Sequence, residues 1–350
     1  MQKVAIIISP NWGDYAKKYL DDCIDSINKQ DWHGQSRIFI TDNETSEESF
    51  AYLKKKLPQV EIIRNKNNDG YAKGCNDSIR AALKYDFDYL VIFNIHTILK
   101  SDCLKNMIET ANKDDKIGAV QARMMLWSDK EKISSLGNST HFLGFGYCAG
   151  YKKKFDEKNL KVRDIFYPSG SSFLIKKEIL DKIGLLDEEL WMYNEDQDWG
   201  WRIWLAGYRC VLASNAVMYN KYDFLRSTKK YYWMDRNRII VILKNYHLLT
   251  LILILPAFII MELGLILFSL KTGWIKEKIK VWFYFLNPAK WIYLFKARRK
   301  TQRLRKVKDK QIIHLITGKI WYQEIDDIKL RLINPIFNLY WKIIKRLIFW

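Results

Sequence analysis

Three polar clusters in this sequence carry residue types suited to chemistry on sugars and phosphates. The richest is Asp187-Glu188-Glu189 followed by Trp191-Met192-Tyr193-Asn194-Glu195-Asp196-Gln197-Asp198-Trp199. Acids that begin a helix sit at the positive end of its dipole, which favours their ionised form. An ionised Asp at a cleft can take a proton from an acceptor hydroxyl, and the flanking aromatics suit apolar sugar faces. Ordinary N-terminal capping accounts for the same acids equally well. The second cluster is Asp42-Asn43, with Ser9-Pro10-Asn11-Trp12 upstream. A carboxylate there can accept hydrogen bonds from a nucleobase or a ribose, although Asp-Asn after a strand is also a common turn. The third is Asn94-Ile95-His96-Thr97, where His96 could ligate a divalent metal or touch a phosphate. No further residue stands at metal-ligand spacing beside His96, so a plain loop histidine remains open. The sequence holds no P-loop, serine-nucleophile elbow, G-x-G-x-x-G or H-E-x-x-H motif.

Periodicity gives the elements that must position these clusters. Short apolar runs at 4–8, 37–41, 60–64, 89–93, 117–121 and 173–175 read as buried strands. Helical stripes alternate with them at 15–29, at 46–57 behind a Ser46 cap, at 73–85, 104–112, 177–183 and 195–205. Residues 210–213 add a strand, and 217–219 suggest another. The alternation predicts an α/β fold, a three-layer sheet with right-handed crossovers, and ligands at the carboxyl ends of its strands. Each polar cluster follows such a strand or opens such a helix. Residues 122–172 lose periodicity and collect glycines, which predicts a hairpin and a mobile loop near the site.

Charge divides the chain unevenly. Residues 1–224 hold 32 Lys/Arg and 32 Asp/Glu, whereas residues 225–350 hold 26 and 7, so the whole excess of +19 lies in the last 126 residues. A basic region beside a neutral domain fits an anionic surface, nucleic acid or membrane. The run Leu248–Leu270 decides for membrane: at 1.5 Å per residue a helix there spans roughly 35 Å. Pro256 and Glu262 inside the run, and basic flanks on both sides, argue against one simple crossing. A hairpin or interfacial helices bent near Pro256, with both flanks on anionic headgroups, fit better; a single span and a buried core helix stay open. The five scattered cysteines form no C-x-x-C pair, and the opening apolar run is too short for a signal peptide. Both favour a reducing, cytoplasmic setting.

The ordered series of short segments resembles glycosyltransferase family 2, with its GT-A fold, and within it the rhamnosyltransferase-like branch that builds cell-surface polysaccharide. The resemblance covers about residues 3–245. It rests on Ile6-Ile7-Ile8-Ser9-Pro10-Asn11, Asp42-Asn43, the Asn-rich loop from Asn65 to Asn76, Pro168-Ser169-Gly170-Ser171, and Gly184-Leu185-Leu186-Asp187-Glu188. Further pieces are Glu195-Asp196, Asp198-Trp199, Trp201-Arg202, Ala206-Gly207-Tyr208-Arg209, Tyr231-Tyr232 and Arg236-Asn237. The resemblance implies that Asp196 is the general base of a direct, inverting displacement and that Glu195 shapes that site. It implies that Ser9, Pro10, Asn11, Asp42 and Asn43 hold the base and ribose. Lys73, Asn94, Trp199, Arg202 and Arg236 become candidate contacts to donor, phosphate or acceptor.

Two positions depart from the family pattern. His96 stands where the family places a metal-binding carboxylate, and Asn220 stands where it often has His. Charge that builds on the leaving diphosphate must be stabilised, so three alternatives stay open: a manganese or magnesium ion held differently, Lys/Arg in its place, or lost activity. The expectation is therefore a catalytic domain at 1–224 and a basic, amphipathic and apolar helical region for membrane attachment at 225–350. Its partners would be a nucleotide-sugar donor, a lipid-linked glycan acceptor and the cytoplasmic face of the membrane, with no nucleic acid. The competing readings are an inactive sugar-nucleotide-binding subunit and a nucleic-acid-binding protein built on the basic tail.

Overall fold

A computed structural model of the chain describes residues 1–222, 228–321 and 328–350. It divides into two compact units, the first made of Met1–Asn138, Cys148–Ile203 and Tyr208–Asp223, the second of Ser139–Tyr147, Trp204–Gly207 and Phe224–Trp350.

The first unit opens with β1 (Lys3–Asn11), α1 (Tyr15–Asn28), β2 (Gln35–Asn43), α2 (Glu47–Lys56), β3 (Glu61–Asn65), α3 (Gly70–Ala82), β4 (Tyr89–Phe93), β5 (Thr97–Leu99), α4 (Cys103–Ala111), β6 (Ile117–Leu126) and β7 (Ile133–Ser135). The chain then makes β8 (Asn138–His141) and β9 (Gly146–Cys148), which lie mostly in the second unit, and continues with β10 (Arg163–Asp164), β11 (Ser172–Lys176), α5 (Lys177–Ile183), α6 (Glu195–Leu205) and β12 (Arg209–Asn220). The main sheet runs β10-β12-β6-β11-β4-β1-β2-β3, with β5 on β12 and β7 on β6. Strands β3, β2, β1 and β4 are parallel, while β11 runs antiparallel between β4 and β6.

The apolar runs are buried because helices cover both faces. Ile6, Ile8, Ile40, Val91 and Phe93 face one layer, against Leu20 and Cys23 of α1 and Met107 and Ile108 of α4. On the other face, the Thr41 hydroxyl donates to the Gly74 carbonyl of α3 at 2.8 Å, and Trp199 of α6 packs on Phe173 with ring centroids 4.6 Å apart. The α/β GT-A fold is thus present. Local signals worked as physics requires: the Ser46 hydroxyl accepts the Ser49 amide at 3.2 Å to cap α2. One expectation is corrected. Residues 217–219 are not a separate strand; β12 is continuous and absorbs a register shift between Ala213 and Val217.

The second unit holds α7 (Lys229–Asn245), α8 (Leu248–Thr272), α9 (Ile275–Leu286), α10 (Pro288–Leu304), α11 (Asp309–Ile312), β13 (Ile316–Thr317) and α12 (Ile328–Leu347). A small sheet, β13-β8-β9, joins them. α8 passes through Pro256 as one helix, so the expected hairpin inside 248–270 does not exist. Thr250, Ile254, Ala257 and Met261 point inward, while Leu248, Ile252, Leu255, Ile259, Leu263 and Leu267 are exposed. α8 is the single helix among the described residues long and apolar enough to cross a membrane. Glu262 is not a bare charge on it. Its carboxylate pairs with Arg238 of α7 and, at 2.6 Å, with Lys278 of α9, and both cations also hold Asp235 at 2.7 Å. Two acids and two bases thus neutralise one another inside the helical packing.

Candidate active site

The carboxyl ends of β1 and β4 and the amino end of the antiparallel β11 converge with the start of α6. The Asp196 carboxylate accepts the Gly170 amide at 3.0 Å through one oxygen and the Gln197 amide at 2.8 Å through the other. The Tyr71 hydroxyl donates to the Gly170 carbonyl at 2.7 Å and lies 3.3 Å from the Asn94 amide oxygen. Asn94 ends β4 and donates to the Ser171 hydroxyl at 2.7 Å. The next amide, Ile95 N–H, donates to the Ser9 hydroxyl of β1 at 3.1 Å. A continuous chain of hydrogen bonds therefore links Asp196 to the ends of β4 and β1. Gly170 is required there, since a Cβ at this position would lie 2.8 Å from the Tyr71 hydroxyl.

The approach to α6 is strained. Trp191, Tyr193 and Asn194 all have positive φ, between 58° and 69°, a conformation that costs non-glycine residues energy and persists only where surroundings enforce it. The Trp191 carbonyl accepts the Ala72 amide at 3.0 Å, and a Cβ on Gly70 would strike the Trp191 ring at 2.5 Å. The loop is thus pinned on the start of α3, which fixes where Glu195 and Asp196 emerge.

Burial dominates the electrostatics of this acid pair and overrides the expected effect of the helix end. Desolvation pushes the Asp196 carboxyl up to about 6, against the opposing pull of the Gly170 and Gln197 amides. Glu195 is buried with one oxygen unpartnered. Desolvation, reinforced by the neighbouring Asp196 charge, drives it well above the ordinary carboxylate range. Burial thus favours the neutral form of both carboxyls, and at Glu195 the Asp196 charge adds to that push.

A second polar cluster forms at the ends of β1 and β2. Asp42 is fully buried; one oxygen accepts from Asn11 at 2.8 Å and Thr45 at 2.7 Å, and the other has no hydrogen-bond partner, with the Arg64 guanidinium 3.6 Å away. Asn43 donates to the Gly70 carbonyl at 2.9 Å and accepts from Asn65 at 3.0 Å. Pro10 packs against Gly74, where a Cβ would lie 2.3 Å from its ring. These contacts leave one Asp42 oxygen as an unused acceptor, the feature a base or ribose would need.

His96 lies at the end of β4 under aromatic cover. It stacks on Tyr222 at 5.1 Å and meets Tyr15 and Tyr19 edge-on. Burial lowers its pKa to about 4, so the ring is neutral at pH 7. Its Nδ1 has no partner, and Nε2 lies 3.2 Å from the Asn94 amide. Asn220 also adjoins the ring. The donor set is one neutral imidazole among amides and phenols, and the described residues hold no group of three or more His, Cys, Asp or Glu that could hold a metal. Magnesium and manganese favour carboxylate and other hard oxygen ligands, so the residues around His96 do not fit such an ion.

Other sequence candidates are placed elsewhere. Trp199 is wholly buried and donates to the Gly184 carbonyl at 2.8 Å, so its expected contact with the acceptor is corrected to a core role. Arg202 is likewise corrected: it holds Asp198 at 3.0 Å and the carbonyls of Ile183 and Leu185 at 2.6 and 2.8 Å. Lys73 is bound between Asp69 and Asp77, each at 2.9 Å. Arg236 is buried in the second unit, beside Asn237 and the Trp233 ring. Among the first cluster's acids, Asp187 caps a short turn and Glu188 pairs with Arg80. Sequence reasoning gave no role to Tyr71 or Gly170, although both lie in segments that carried the resemblance.

A family model described as "Glycosyl transferase family 2" matches residues 6–184, just over half of the chain. No curated protein matches the sequence. Among solved structures, GalNAc-T7 with UDP, GalNAc and Mn2+ aligns at 14% identity and TM-score 0.53, covering 69% of this chain and 47% of that one. TarS residues 1–349 from S. aureus align at 14% identity and TM-score 0.51, covering 99% of this chain and 90% of that one. The longer S. aureus TarS chain gives 14% identity and TM-score 0.51, with 54% of it covered. The chain therefore spans about half of GalNAc-T7 and of the longer TarS chain. At this identity the likenesses establish the fold.

Proposed function

The chain belongs to glycosyl transferase family 2, and from that premise we propose that it transfers a sugar, with inversion, from a nucleotide-sugar donor to a lipid-linked glycan acceptor at a membrane surface. The observation that carries this reading is the ionised Asp196 carboxylate, fixed by the Gly170 amide beside the ends of β1 and β4. In the proposed step the acceptor hydroxyl attacks the anomeric carbon as its proton passes to Asp196. The bond to the nucleoside diphosphate breaks on the opposite face, and the electron pair leaves with the phosphate. Burial favours the neutral form of Glu195, the form that adds no second negative charge near the departing diphosphate. Asp42, with its unused oxygen, would accept from the base or ribose, with Ser9, Asn11 and Asn43 shaping that pocket.

Attachment to a lipid surface is supported by the exposed apolar side of the second unit. Ile252, Leu255, Ile259 and Leu263 of α8 are exposed, as are Phe283 and Leu286 of α9, Ile292 and Phe295 of α10, and the α10 bases Lys296, Arg299 and Lys300. Such a pairing of buried apolar area with basic charge suits anionic headgroups. On this reading residues 1–224 are the catalytic domain, 225–350 the attachment region, and the rhamnosyltransferase-like branch the place to look for the donor.

The test is sugar transfer and donor hydrolysis by the full chain over UDP, dTDP and GDP sugars, comparing wild type with Asp196→Asn. Transfer should fall by about a thousandfold in the variant, with nucleotide affinity kept. Unchanged transfer by Asp196→Asn would remove the base assignment, and no turnover with any donor would remove the transferase reading.

A further inference from the structure

A cavity of about 370 Å³ lies on the first unit, lined by none of the residues given a role in the proposed transfer. Its floor is the ribbon where β12 pairs with β6, Val217 opposite Arg123 and Tyr219 opposite Met125. Side chains alternate across a strand: Met124 and Met218 enter the core, which turns Arg123, Met125, Val217 and Tyr219 to the other side. Lys100, Lys130, Glu131, Lys154, Phe155 and Glu157 complete the lining.

The charge balance in this cavity favours an anion. Four cations line it, Lys100, Arg123, Lys130 and Lys154, against two acids, Glu131 and Glu157. Lys154 and Glu131 pair with each other on the open surface at 2.9 Å. Lys100 has no acidic partner among the described residues, and Lys130 lies over the Trp127 and Tyr219 rings at 4.3 and 5.5 Å. Arg123 is the decisive residue. It is 9% exposed, its Nε carries no hydrogen bond, and its sole carboxylate among the described residues is Glu157, at 3.3 Å and itself 72% exposed. The Phe155 ring lies 3.9 Å from the guanidinium carbon. A cation this desolvated and so weakly paired gains from a second anion in the cavity. Aromatic walls beside free ammonium groups suit a sugar that carries that charge. The next residue of β12 after Tyr219 is Asn220, which adjoins the His96 ring, so the cavity flanks the reacting end of the sheet.

We propose that this cavity is a binding subsite for an anionic sugar unit of the acceptor, one bearing a carboxylate or a phosphate. The proposal rests on the transferase reading only in calling the ligand an acceptor. The test is calorimetric titration of the detergent-solubilised full chain with a glucuronate-containing oligosaccharide, inorganic phosphate and an uncharged oligosaccharide of matched length. Donor hydrolysis is measured on the same preparations. Wild type should bind a charged probe in preference to the neutral one, and preference for the uronate or for phosphate identifies the source of the charge. Lys100→Glu/Lys130→Glu, at exposed positions, should weaken the charged probe by about tenfold or more and leave donor hydrolysis within about twofold. Arg123→Gln should do the same where it folds. Equal binding of charged and neutral probes by wild type, or no change in the double lysine variant, overturns the proposal. Loss of donor hydrolysis in wild type would sink the transferase reading and leave this binding test standing.

Discussion

The Gly170 amide and the Asp196 carboxylate meet at 3.0 Å, and the Gly170 carbonyl accepts Tyr71 on its other side. The two peptide groups flanking this one residue thus set the position of the acid and tie it to the end of β4. The acid's basicity is set separately, by burial.

Asp196 titrates at about 6, so the rate should depend on pH with a known sign. The base works only when ionised. Transfer should rise about tenfold per pH unit below 6 and level off near 7. A pH–rate profile of kcat that stays flat from pH 5 to 8 would exclude Asp196 as the base.

The same shift makes Asp196 a cost to stability. Its folded pKa lies above the ordinary aspartate value of 3.8, so between about pH 4 and 6 the folded state binds more protons than the unfolded state. Stability contributed by this group falls as pH rises through that window. Asp196→Asn should therefore raise the denaturation midpoint at pH 7.5 while abolishing transfer, and should bring little gain at pH 4. Urea melts at both pH values decide it.

Asp42→Asn keeps the shape of the pocket and removes its charge beside Arg64. It should weaken binding of the nucleoside diphosphate by roughly tenfold or more, measured by titration, with the fold intact by circular dichroism. Unchanged affinity would move the base and ribose elsewhere.

His96 presents a neutral ring where a carboxylate would make a hard-ion site. Donor hydrolysis by wild type should change less than about twofold on chelation with EDTA, whereas His96→Asp should show a new dependence on manganese. Strong EDTA inhibition of wild type would show that the ion is held without the residues around His96.

Most of the first unit's layering was legible from period and punctuation. The runs at 4–8 and 89–93 are continuous because both faces of the sheet are covered, and Ser46 announced α2. Asp196, Asp42 and Asn94 stand at strand or helix ends, where a sequence can point. What escaped depends on three-dimensional packing. In Trp191-Met192-Tyr193-Asn194 only Asn194 signals left-handed backbone; Trp191 and Tyr193, which share it, are residue types that rarely adopt it. Trp199 and Arg202 read as site residues from their neighbours, but the turn of α6 sends them inward. The upward shift at Asp196 needs the burial that only the fold supplies, while local reasoning from the helix end pointed the other way. Glu262 looked like an obstacle to apolar burial because its partners, Arg238 and Lys278, lie 24 and 16 residues away in sequence.

That last cluster has a mechanical meaning. Sliding α8 by itself into hydrocarbon would strip Glu262 of both counter-ions at once and strand Arg238 and Lys278 with a lone aspartate. α7, α8 and α9 are therefore coupled like the planks of a raft: a force that shifts one must carry all three.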